Sequence, residues 1–191
     1  MAAELTPLAI SVLALLEEEP MHAYEMYQLL VNRHTHWLVK VRPGSLYHTV
    51  ERLERQNYVR ATGTERAGNR PERTTYEITP EGTAALTRRV EAGIEEYVHE
   101  YPLFPVVLSE AHNLEAEDAV LRFRRRITDL ERWLTEIDEA LAGARARQVP
   151  EVYWMGGAYL RTQLASERDW LTITIERIES KDLEWQPRKT Q

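Results

Sequence analysis

Val120, Phe123, Ile127, Leu130, Leu134, Ile137, Leu141 and Ala144 follow one another at steps of three and four residues without a break. Steps of three and four keep apolar side chains on one stripe of a helix, and holding them for more than three heptads is a coiled-coil signature. A long helix from Glu115 to about Arg147 is therefore expected, and its stripe needs a partner. The last helix, about Val152 to Ser180, offers Leu160, Leu164, Leu171, Ile175 and Ile178 from the same chain. The same stripe of a second chain is the other partner, and the two packings are compatible. Val120, Phe123, Ile127, Leu130, Leu134, Ile137 and Leu141 are thus the expected homodimer contact. The segment after Lys181 is expected to fray.

The first half is patterned differently. Thr6-Pro7 supplies a helix cap and a first-turn proline, and Leu5, Leu8, Val12 and Leu15 carry the helix to Glu17-Glu18-Glu19-Pro20. A second helix is expected from about Ala23 to Asn32, and Trp37 to Val41 reads as an extended connector. Pro43-Gly44-Ser45 opens a third helix with Leu46, Val50 and Leu53 on its core side. That assigns Ser45, His48, Thr49, Arg52 and Gln56 to the opposite side. Asn57 suits a left-handed cap. Two strands, Tyr58 to Thr62 and Arg73 to Ile78, flank a polar tip that carries Arg66 and Arg70. Thr79-Pro80-Glu81-Gly82 begins a fourth helix running to about Val98, and a short helix is expected over Val106 to His112.

Charge divides along the same line. The 191 residues carry a net charge of −7, all of it in the second half, since residues 1–90 hold 11 basic and 11 acidic side chains. Arg33 to Arg73 holds nine basic residues against four acids, a local excess that suits an anionic partner at one face. Cys is absent, which excludes disulfides, Cys-ligated metal and a cysteine nucleophile. Leu8 to Leu16, nine residues, is far short of the roughly twenty a bilayer span needs. No basic region precedes it, so a signal peptide is not expected, and a soluble cytoplasmic protein is.

Three helices followed by a hairpin is the winged helix-turn-helix order. A mainly α chain is expected, with an N-terminal winged helix-turn-helix (three helices plus a β-hairpin wing) and then a helical, coiled-coil-like dimerisation domain. The boundaries are 1–98 for DNA binding, 99–181 for dimerisation and effector response, and 182–191 for a tail. The third helix is the part that fits a major groove about 12 Å wide. Ser45 and Thr49 permit close approach, His48 and Arg52 can reach phosphates or base edges, and Lys40 and Arg42 lead into the helix. Arg66 and Arg70 at the hairpin tip can follow the flanking backbone or the minor groove. The proline and glycine before Ser45 leave N–H groups at a helix N-terminus, a ready phosphate site.

Val41 to Val59, VRPGSLYHTVERLERQNYV, resembles the recognition-helix segment of the PadR family of transcriptional regulators. PMHAYEMYQLL (Pro20 to Leu30) and YEITPEG (Tyr76 to Gly82) share the resemblance, and the second half is similar to the larger, Vir-type branch. Ala23 stands where the family usually has glycine, and Asn57 stands where glycine usually follows the third helix. The resemblance implies a dimeric winged-helix repressor that binds double-stranded operator DNA, with Tyr47 and its neighbours on the DNA backbone. It also implies release by a small, often aromatic, effector or by remodelling of the dimer. No effector residue is assigned, although Tyr97, Tyr101, Phe104, Tyr153 and Trp154 supply aromatic surface.

Other readings carry less. His34-Thr35-His36 with His22 and His48 could suggest metal sensing, but no carboxylate pattern accompanies them, so no metal and no cofactor are expected. No Gly-x-Ser-x-Gly, Gly-rich phosphate loop or His-Glu-x-x-His occurs, so an enzyme is not expected. Arg124-Arg125-Arg126 reads as a solvated face with Asp129 and Glu131 as helix-pair partners. A winged helix that binds protein instead of DNA is the alternative from another class.

Overall fold

The computed structural model describes residues 5–65 and 73–186. The chain forms two compact units, Met1–His99 and Glu100–Gln191.

In the first unit α1 (Pro7–Glu18) begins as its sequence dictates, with Pro7 in the first turn and Thr6 Oγ1 accepting from the Ala9 amide at 3.4 Å. Ala9, Val12 and Leu13 are completely buried. A two-residue strand, β1 (Met21–His22), leads into α2 (Ala23–Asn32), where the Glu25 carboxylate accepts from the His22 amide at 2.8 Å. Residues Thr35–Trp37 then form a single 3-10 turn. Trp37 stacks on His34 with ring centroids 4.3 Å apart, so the expected extended connector is coiled at its start.

The third helix, α3 (Pro43–Arg55), buries Leu46, Val50 and Leu53 against the α1 core. Its end is a Schellman turn. Asn57 has φ 59°, its amide donates to Glu54 O at 2.9 Å, and the Tyr58 amide donates to Leu53 O at 2.9 Å. Strands β2 (Val59–Glu65) and β3 (Arg73–Ile78) form the expected antiparallel hairpin, with a register shift between Ala61 and Gly63. The sheet order is β1-β3-β2, and β1 adds Met21↔Tyr76 and His22↔Thr75. That third strand is not visible in the local sequence pattern. Arg66 and Arg70 lie outside the described residues. Helix α4 (Pro80–Glu95) starts on the Thr79 cap, whose hydroxyl accepts from the Gly82 amide at 3.1 Å, and it ends three residues before the expected Val98.

An exposed ion pair ties α1 to α2, with Arg33 Nη2 2.8 Å from Glu18 Oε2. The Arg33 hydrogen bond holds the Glu18 carboxyl below the ordinary glutamate value. A depressed folded-state pKa contributes stability that is present above the unfolded-state value and lost as pH falls through the folded one. Both side chains are about half exposed, 47% and 50%, so the pair is screened and contributes no more than about 1 kcal/mol. Arg33→Ala is expected to return the Glu18 titration to the ordinary range in an NMR pH series and to remove its share of the acid-limb stability.

The second unit holds α5 (Leu103–Ser109), α6 (Ala116–Ala146) and α7 (Met155–Glu179). The short helix starts three residues before the expected Val106, and Ala111–Asn113 is a separate 3-10 turn. Helices α6 and α7 run antiparallel, as the Arg124–Glu179 (2.6 Å) and Arg161–Asp138 (2.6 Å) pairs require. Phe123, Leu130, Leu134, Ile137 and Leu141 are buried within the chain, while Val120 and Ile127 are half-buried. Phe123 and Leu130 share a cluster with Leu171, Ile175 and Ile178 of α7, so the heptad stripe is taken up at least in large part inside one chain.

Two expectations are corrected here. The arginine run is not simply a solvated face paired along its own helix. Arg124 reaches Glu179 and Arg126 reaches Glu167, both on α7, while Arg126 also caps the Phe104 ring at 3.5 Å. Nor does the segment after Lys181 fray as far as Gln186. Lys181 takes φ 63°, the Leu183 amide donates to Arg177 O at 2.8 Å, and Trp185 Nε1 donates to Leu114 O at 2.9 Å. Among the described residues no helix is long and apolar enough to cross a membrane.

Candidate nucleic-acid interface

Helix α3 is held on one side by a deep apolar contact and left open on the other. Leu46 and Leu53 are completely buried and Val50 is 1% exposed, so the rotation of the helix about its axis is fixed by packing. Opposite this contact Ser45, Tyr47 and His48 are exposed, as are Lys40 and Arg42 in the segment that enters the helix. Tyr47 keeps 48% of its surface in water, a large exposure for an aromatic side chain on a well-packed helix. Arg42 is the N-cap residue in an extended conformation, and its carbonyl accepts from the Leu46 amide at 3.0 Å. Pro43 follows at the first helical position, and a Cβ placed on Gly44 would meet nothing within 4 Å. The entry and first two turns of α3 thus bring Lys40, Arg42, Ser45, Tyr47 and His48 into one solvent-facing stretch beside open N-terminal amides.

Two of the expected residues behave differently. Thr49 is only 8% exposed, and its hydroxyl donates to Ser45 O at 2.8 Å. It belongs with the core side because positions 46, 49 and 53 fall on one helical stripe. Arg52 is half-buried, and its Nη2 donates to Thr6 Oγ1 at 2.9 Å. This bond runs from α3 to the cap of α1, so Arg52 helps hold α3 in place. Sequence reasoning read Thr6 as a cap alone; a contact between residues 46 apart leaves no local signal.

The acids on α3 complete the electrostatics. His48 Nδ1 lies 3.5 Å from Glu51 Oε2, an i,i+3 pair that helix spacing alone could have identified. Burial pushes the Tyr76 phenol of β3 up, with Glu54 and Glu51 adding to the shift. Lys40 and Arg42 lead into the helix, whereas its later turns alternate Glu51 and Glu54 with Arg52 and Arg55. The N-terminal half of α3 is the end suited to an anion. Among the described residues no group of three His, Asp or Glu side chains could hold a metal ion. His34 and His36 instead cluster with Trp37.

The sequence profile described as the transcriptional regulator PadR-like family matches residues 12–88, which contain the whole of α3 and the hairpin. Among curated proteins, none matches the chain. Among solved structures, PadR of Bacillus subtilis in complex with operator DNA is 14% identical, with TM-score 0.63 over 92% of this chain and 97% of that one. The same protein in complex with p-coumaric acid gives 12% identity and TM-score 0.72 over 91% and 99%. A PadR-like transcriptional regulator of Bacillus cereus gives 16% identity and TM-score 0.66 over 91% and 99%. At such identities the likeness is one of fold.

Proposed function

We propose, from the premise that residues 12–88 form a PadR-like family domain, that this chain is a sequence-specific DNA-binding regulator that acts as a repressor. The observation that carries the proposal is the outward face at the start of α3. Exposed Tyr47, Ser45 and His48 stand beside open amides on a helix whose other side is locked into the core. Lys40 and Arg42 meet phosphate on the way in, and His48 reaches base edges. Arg66 and Arg70 are assigned to the flanking backbone by sequence. Arg52 serves by fixing the helix.

One reading head presents one helix. A homodimer with two-fold symmetry presents two about 34 Å apart, matching one turn of a palindromic operator. The acidic second half suits this division of labour, since it keeps repulsive charge off the DNA-reading unit. A small aromatic effector that releases the operator completes the proposal. Its support is the family resemblance, together with a relative of the same fold that has been seen with p-coumaric acid.

A mobility-shift titration of the upstream region over a range of salt tests the reading. Binding is expected to weaken steeply as salt rises. The sharpest variant is Gly44→Ala. The added methyl has free space and a helical position, so it should leave stability unchanged or raise it by about 0.5–1 kcal/mol. Operator affinity should nevertheless fall, because that methyl stands between the helix N-terminus and the phosphate it meets. A Gly44→Ala protein that melts higher and binds operator undiminished would remove the amide end of α3 from the interface. Protein that stays folded and ignores its upstream region at low salt would leave the protein-binding winged helix as the better reading.

A further inference from the structure

The second unit contains a cavity of about 650 Å³, within the range of clefts that hold small molecules. It lies where the start of α6 meets the end of α7, and residues 181–185 form its third wall. That wall is built rather than incidental. Lys181, at φ 63°, turns the chain back, and the Leu183 amide bonds to Arg177 O. Trp185 spends its only polar atom on Leu114 O at 2.9 Å, which fixes the indole and leaves its ring as apolar surface. Ala116, Val120, Leu121, Ile178 and Leu183 supply the rest of the apolar lining.

Charge then selects the occupant. The α6 N-terminus and the α7 C-terminus carry opposite dipole ends, which offset one another, so the side chains decide. Arg124 is neutralised by Glu179 at 2.6 Å. Glu117, Glu184 and Lys181 remain, with Glu184 accepting from the neutral Gln186 amide at 2.8 Å. Among the described residues two carboxylates against one ammonium leave the rim negative, in a half of the chain that holds the whole net charge of −7. We propose that this cavity binds a lipophilic cation, with its apolar body against Trp185 and its positive charge toward Glu117 and Glu184.

The proposal does not rest on the DNA reading, and its test contains no DNA. Calorimetric titration of the full chain would compare tetraphenylphosphonium with tetraphenylborate, two ions of nearly the same shape and opposite charge. The phosphonium is expected to bind about tenfold or more tightly than the borate, as a rim of one excess negative charge requires. Trp185→Ala should abolish binding. Because that variant also releases the wall, the deciding protein is the Glu117→Gln, Glu184→Gln double variant, which leaves Trp185 and its bond in place. It should retain the melting temperature and lose the preference for the cation. Equal or tighter binding of the borate, a preference unchanged in the double variant, or no binding of either ion would overturn the assignment.

Discussion

Gly82→Ala is expected to destabilise the first unit by about 3 kcal/mol or more. A Cβ at that position would lie 2.1 Å from the Tyr58 carbonyl oxygen and 2.8 Å from Ile78 Cγ1. The nearest obstacle is backbone and cannot rotate away. The same carbonyl accepts from the Thr79 amide at 3.0 Å, and the Thr79 hydroxyl donates to Asn57 O at 2.7 Å. The first turn of α4 is therefore bolted to the turn that ends α3. Pushing α4 back by the width of a methyl group breaks both bonds and shifts the support of α3. Thermal melting should show the loss directly, and operator binding should fall with it. Gly44→Ala makes the contrast, since the same chemical change in open space should cost nothing in stability.

This contact also explains why a Thr-Pro-Glu-Gly run is informative. Thr79 and Pro80 could be read as a cap and a first-turn proline from local rules, and so could Thr6 and Pro7. The second helix, bounded by Ala23 and Asn32, and the left-handed Asn57 were legible for the same reason: each is decided within a few residues. What was not legible is decided at a distance. The strand Met21–His22 exists because β3 lies beside it, more than fifty residues on. His34, Gln148 and Lys181 take left-handed backbone without the glycine that would announce it. At the candidate interface the exposure of Ser45 and His48 followed from periodicity, whereas Thr49 lies at the margin of the apolar arc and is buried, and Arg52 and Gln56 are half-buried. The Arg52–Thr6 bond depends on how α1 and α3 dock, and composition holds no trace of that.

Leu130→Glu is the second large effect, and it separates the two packings that the heptad stripe allows. If the stripe served only to join two chains, the variant would be a folded, helical monomer of half the mass. Leu130 is instead 7% exposed and packed in the cluster that contains Leu171, Ile175 and Ile178 of its own chain. A carboxylate there loses the leucine's burial, about 2–5 kcal/mol, and adds the desolvation of a group with no partner in that cluster. The α6–α7 hairpin has no third long helix in its own unit to take up the strain. The expected result is loss of the second unit: a fall in helical circular dichroism at 25 °C, with the first unit retaining its own melting transition. Sedimentation in parallel reads the mass. A smaller particle with undiminished helicity would show that the stripe is held between chains after all. A smaller particle with reduced helicity would mean that a chain must first fold its own hairpin before it can pair, so that pairing and the stability of the second unit cannot be varied independently.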